Sequence, residues 1–141
     1  MMFNQDRNQM RKVFFDCWKA HRDKTPMDAM QTIIAHIIEL HPEYHALLEN
    51  EAALYKDYTP EQGETNPFLH MSMHIALHEQ ISTDRPTGIK AVYQSIIMKQ
   101  GSTHDAEHAM MECLGEALWL AQRNNRMPDE TAYLECLKNL S

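Results

Sequence analysis

Glycine is scarce in this chain, with four residues in 141, beside six prolines and three cysteines. So few turn formers exclude a linker-rich or low-complexity chain. Cys17, Cys113 and Cys136 are widely spaced and form no C-x-x-C. An odd count with no signal peptide reads as reduced thiols, most simply as small core side chains. Positive charge is also in deficit. Thirteen Lys and Arg face twenty Asp and Glu, for a net charge of −7 with histidine neutral. The basic residues are scattered, which disfavours a nucleic-acid binder. Long apolar runs are missing: residues 33–38 are interrupted by His36 and are far too short to cross a bilayer. Residues 1–12 are polar and lack the apolar segment of a secretory signal. These absences lead us to expect a soluble cytoplasmic protein with no nucleic-acid or membrane partner. No P-loop, G-x-G-x-x-G or G-x-S-x-G is present, so nucleotide and serine-hydrolase chemistry has no support. There is no repeat at a fixed period, and no segment alternates in the period-2 manner of strands.

What remains is helical punctuation. The hydrophobic fraction of 43% is enough to bury a core, so one domain over residues 1–141 is expected. Asn4 is placed to cap a first helix with the stripe Met10, Val13, Phe14, Cys17, Trp18 and His21. Thr25 and Pro26 read as cap and first residue of a second, with Met27, Met30, Ile33, Ile34, Ile37 and Ile38 inward. His41 and Pro42 restart the chain in a third helix to about Asp57. One turn at Thr59 and Pro60 and a loop over 62–65 follow. Asn66 and Pro67 open a helix to about Ser82. Asp84, Arg85 and Pro86 open the next, which ends at Gly101. Ser102 or Thr103 caps a long helix to Arg123, and Asn124 and Asn125 stop it. Pro128 starts a short terminal helix. The expected fold is an all-α, single-domain bundle of about five to six helices with short connections.

Nine histidines stand out, and most fall in pairs four residues apart: His41 and His45, His70 and His74, His104 and His108. Four residues are about one helical turn, so each pair shares a face and can chelate one ion. At about 100° per residue, His70, His74 and His78 lie on one arc with Met73, Leu77 and Ile81. A buried imidazole needs partners for its ring nitrogens. Two on adjacent turns, matched by a second pair, favour metal ligation over hydrogen bonding alone. In the long helix, Glu107 falls on the apolar arc between Met111 and Leu114. A carboxylate there must be paired or bound to a cation. The alternatives are an ion pair with Arg85 or Arg123, or a place beside His104 and His108 at i, i+3, i+4. Glu112 lies one turn further on. A single helix separates the two histidine segments. With short antiparallel turns they run parallel, and both pairs are expected at one end of the bundle. His41 reads as a helix cap, with His45 one turn inside. His36 reads as solvated.

With these strings assembled, the chain resembles a family of short bacterial proteins known only as a domain of unknown function. The resemblance runs nearly end to end. It is carried by HPEYH (41–45), NPFLH with MSMH (66–74), DRPTGI (84–89) and HDAEHAMMECLGEALWLAQRN (104–124). It implies a helical bacterial protein and brings no activity. A looser similarity is to metal-binding bundles of the hemerythrin and DinB-like types, and hemerythrin-like proteins place H-x-x-x-E and H-x-x-x-H on successive helices. Here His45 with Glu49 and His70 with His74 echo that order.

The expected function is therefore metal binding, with ligands His70, His74, His104, His108 and Glu107. Zinc and iron come first, then nickel and copper, because imidazole-rich sets suit these rather than magnesium or calcium. Whether the protein is an enzyme is left open. Three ligands would leave a position for water or oxygen, and four would close the shell. The competing expectation is a non-catalytic structural or interaction protein whose buried histidines only hydrogen-bond.

Overall fold

The computed structural model describes residues 2–56 and 66–141, with side chains from Asn8 onward. Among the described residues there are six α-helices, three short 3-10 helices and no strand. The α-helices are α1 (Met2–Asp23), α2 (Ala29–Glu39), α3 (Pro67–Thr83), α4 (Ile89–Gln100), α5 (Thr103–Arg123) and α6 (Glu130–Lys138). The all-helical expectation holds, with slightly more helices than five to six. The turn expected at Thr59 and Pro60, and the loop over 62–65, lie outside the described residues. No described helix is long and apolar enough to cross a membrane.

Several helix ends differ from the sequence reading. α1 begins at Met2, ahead of Asn4. Thr25 closes α1 rather than opening α2. Lys24 turns left-handed (φ 57°), and the Thr25 amide donates to the Ala20 carbonyl at 3.0 Å. The same device ends α3 at Asp84 (φ 52°) and α5 at Asn125 (φ 52°). The amides of Arg85 and Arg126 then reach back five residues, to Gln80 and Ala121. This is the six-to-one closure usually made with glycine, here built without one. α2 is instead capped by Asp28, whose carboxylate accepts from Gln31 N while the Gln31 side chain accepts from Asp28 N. α4 starts after Gly88 (φ 98°), not at Pro86. The Asp84 carboxylate accepts from the amides of Lys90 and Gly88, which holds its pKa below the usual range. The expected caps at Asn66 and Ser102 and the stop at Gly101 are present.

The third helix expected from Pro42 is not α-helical. It is three successive 3-10 turns, Pro42–Tyr44, Leu47–Glu49 and Glu51–Tyr55. Asn50 is extended and caps Ala52, which interrupts any continuous helix. Burial of Leu48 and Ala53, one from each side of that break, fixes the segment and overrides its helical propensity.

The chain divides into two compact units, Met1–Ile75 and Ala76–Ser141, with the division inside α3. In the first unit α1 packs on α2 and on the 3-10 segment. Its core is Phe14, Cys17, Trp18, Ile34, Ile37, Ile38, Leu48, Phe68 and Met71. Met10, Val13 and Met30, expected inward, are exposed. Arg11 takes their place. It is 4% exposed and donates to the carbonyls of Leu54 at 3.1 Å and Lys56 at 2.6 Å. Its guanidinium lies 4.7 Å from the centre of the Phe68 ring. In the second unit α5 packs on both α4 and α6, and α4 touches α6. Ile89, Ile96, Met110, Leu114 and Leu137 are buried. Cys113 and Cys136 are joined by a disulfide between α5 and α6. This corrects the expectation of three reduced thiols: only Cys17 is free and buried. The pairing spans 23 residues and depends on how α6 docks, so no local spacing announces it.

Candidate metal centre

The first unit gathers three imidazoles. His41 follows the C-cap of α2, and the Pro42 ring bars it from the α conformation. It adopts φ −124° and ψ 71°, and its amide donates to Ile38 O at 2.9 Å. The chain therefore turns, and the His41 side chain goes inward, leaving it 3% exposed. His70 and His74 stand one turn apart on α3, which Asn66 caps and Pro67 opens. His74 is 5% exposed and His70 half-buried.

The three rings form a triangle. Ring centres are 5.1 Å apart for His41 and His70, 4.7 Å for His41 and His74, and 4.9 Å for His70 and His74. All three pairs meet edge to face. One ring nitrogen from each lies within 4.8 Å of the others. Around a tetrahedral ion at about 2.0 Å, imidazole nitrogens stand roughly 3.3 Å apart.

His41 is fixed by a backbone contact. Its Nδ1 lies 2.7 Å from the carbonyl of Ile37. A carbonyl only accepts, so Nδ1 carries the proton and the lone pair sits on Nε2. Such a backbone contact behind a ligating imidazole fixes its tautomer and raises its basicity. Tyr44 stacks on His41 at 5.5 Å and 7°, and meets His70 edge-on at 6.1 Å. Burial, and then the Glu43 charge, raise its phenol pKa.

The other expected residues are placed as follows. His104 and His108 are together on α5 in the second unit, with ring centres 4.2 Å apart. His108 Nδ1 lies 2.8 Å from His104 O, so His108 too carries its proton on Nδ1. His104 is exposed, while His108 and Glu107 are half-buried. The Tyr93 pKa is raised by burial and then by the charge of Glu107. Glu112 is exposed. His78, expected on the inward arc, is also exposed. Met71 and Leu77, fully buried, define the inner side instead. His45 is committed elsewhere: its Nε2–H donates to Ile38 O at 2.9 Å, and its ring stacks on Trp18 at 4.3 Å. Glu49, the other half of the H-x-x-x-E echo, pairs with Arg22 at 3.4 Å. His36 is exposed, as expected.

His41, which the sequence reading assigned to a cap, is the N-cap of the first 3-10 turn, without a side-chain cap contact. The signal was present in two features. Pro42 forbids His41 a helical conformation, and the four-residue spacing from Ile37 aims the ring at a carbonyl on the buried face.

No curated protein and no solved structure matches the chain. The family model that does match is described as Domain of unknown function (DUF1841). It covers residues 6–139, so the chain belongs to that family.

Proposed function

We propose that the protein binds a transition metal ion, with His41, His70 and His74 as imidazole ligands and zinc or iron as the preferred ions. The observation that carries this reading is the triangle of imidazoles, two of them almost wholly buried, with ligand nitrogens within 4.8 Å. One ion can take a nitrogen from each of three converging imidazoles at once. An all-imidazole set favours borderline ions over magnesium or calcium. We also propose His104, Glu107 and His108 as metal ligands. Their support is the i, i+3, i+4 spacing and the half-buried carboxylate.

The second reading is a structural or interaction protein whose histidines only hydrogen-bond. The His41 contact to Ile37 O favours it. One experiment separates the two. A metal that binds only the folded state adds stability by mass action, about 4 kcal/mol at a thousandfold excess over Kd. Ligation needs neutral imidazoles, so it weakens as pH falls through the histidine range. A strong chelator should therefore lower the Tm of metal-loaded protein at neutral pH, and by less at about pH 5. Histidines that only hydrogen-bond would respond to acid but not to chelator. A Tm indifferent to chelator at neutral pH would replace the metal reading with the second one.

A further inference from the structure

We propose that Cys113 and Cys136 are a reversible dithiol–disulfide couple that sets whether α6 is docked on α5. The pocket beside them would admit a low-molecular-mass thiol reductant. α6 is nine residues long, from Glu130 to Lys138. Isolated helices shorter than about 12 residues are marginal in water, so α6 depends on what ties it down. Its ties are few. It buries Tyr133 and Leu137, and the Tyr133 hydroxyl donates to Gln80 Oε1 at 2.7 Å. The disulfide is a further anchor, with Cα atoms 5.8 Å apart.

The bond is reachable. A cavity of about 240 Å³ lies between α5 and α6, and both cysteines line it. Its walls are largely apolar, from Ala117, Leu120 and Ala121, with Arg126 alongside the carboxylates Glu116 and Asp129. That volume admits a small thiol. The two sulfurs differ in access: Cys113 is 3% exposed and Cys136 half-buried. Attack therefore falls on Cys136.

The exchange balances with a dithiol as reductant. Its thiolate forms a bond to Cys136 Sγ, the disulfide breaks, and Cys113 leaves as a thiolate that takes a proton from solvent. The second thiolate of the reductant then attacks its own sulfur in the mixed disulfide. Cys136 leaves in turn and is protonated, and the reductant departs as a cyclic disulfide. Two electrons pass to the protein. With the loop between the cysteines open again, α6 loses its covalent tie. The α5 wall of the pocket then faces solvent.

The test is hydrogen exchange of the full chain, oxidised and in dithiothreitol, with thiols counted by alkylation. Native protein should release both thiols without denaturant. Amides 130–138 should then exchange faster by on the order of a hundredfold, the effect expected from reopening a loop of this length. Amides 89–100 of α4 should not change, and reoxidation should restore protection. A Cys113→Ser/Cys136→Ser variant should exchange like reduced protein in both buffers. The proposal is overturned if the thiols appear only in denaturant. It is equally overturned if α6 protection is the same in the oxidised and reduced chain. Should the double variant fail to fold, the oxidised and reduced wild-type comparison decides alone.

Discussion

Replacing Arg11 with methionine tests how the segment that begins at His41 is held. Arg11 is 4% exposed and ties α1 to the end of the 3-10 segment through Leu54 O and Lys56 O. Methionine keeps the apolar stem and removes the charge. Two charge-assisted hydrogen bonds are lost, at about 1.5–3 kcal/mol each. The stack on Phe68 adds about 1–2 kcal/mol, since it is desolvated. Against this, the variant no longer buries a guanidinium, which returns several kcal/mol. Lys56 lies at an exposed position, so its carbonyl can turn to water, whereas Leu54 is half-buried. The net expectation is a loss of roughly 2–4 kcal/mol. For a chain of this size that lowers Tm by about 2–4 °C per kcal/mol. Arg11→Lys should recover only part, because an ammonium lacks the fork that spans two carbonyls. The assay is urea unfolding followed by Trp18 fluorescence in a Trp119→Phe background. The slope with denaturant should stay constant. A loss below about 0.5 kcal/mol, or a gain, would refute the assignment of Arg11 as the clamp.

Lys24→Gly should stabilise the protein by about 0.5–1 kcal/mol, because Lys24 holds φ 57° at an exposed helix end where glycine is unstrained; a destabilised variant in the same urea assay would contradict this. Asn66→Ala should cost about 1 kcal/mol, since Asn66 Oδ1 accepts from both Phe68 N and Leu69 N, and an unchanged midpoint would argue against that cap. Burial raises the pKa of Tyr133, so its neutral phenol is the folded form. The stability it contributes is fully present below the ordinary phenol value of about 10 and is lost as pH rises through the raised value. Absorbance at 295 nm should show Tyr133 ionising with loss of helical circular dichroism. Ionisation of all tyrosines near pH 10 with helicity intact would contradict it.

The helix starts at Asn66 and Ser102, and the stop at Gly101, were legible because caps are local chemistry. A side-chain oxygen, a proline or a glycine acts within three residues of itself. The shared face of His70 and His74 was legible for the same reason, being one turn of one helix. What could not be read was anything set by packing between segments. Nothing near Arg11 in sequence announces its burial; the carbonyls of Leu54 and Lys56, more than forty residues on, and the Phe68 ring meet it. The segment after Pro42 has helical composition, but its hydrogen bonds are settled by the burial of Leu48 and Ala53. His41 joined His70 and His74 for that reason too: Pro42 turns the chain, and packing decides where the ring goes. The pairing of Cys113 with Cys136 likewise required α6 to be docked.

The central claim is tested most directly by metal content. Protein without a histidine tag, loaded with zinc or iron and desalted, would be compared with a His41→Ala/His70→Ala/His74→Ala variant by elemental mass spectrometry. Circular dichroism would confirm that both are folded. The account predicts stoichiometric metal in the wild type and, in the variant, loss of the ion held by His41, His70 and His74. A wild type that retains no metal, or a variant that retains all of it, would contradict it.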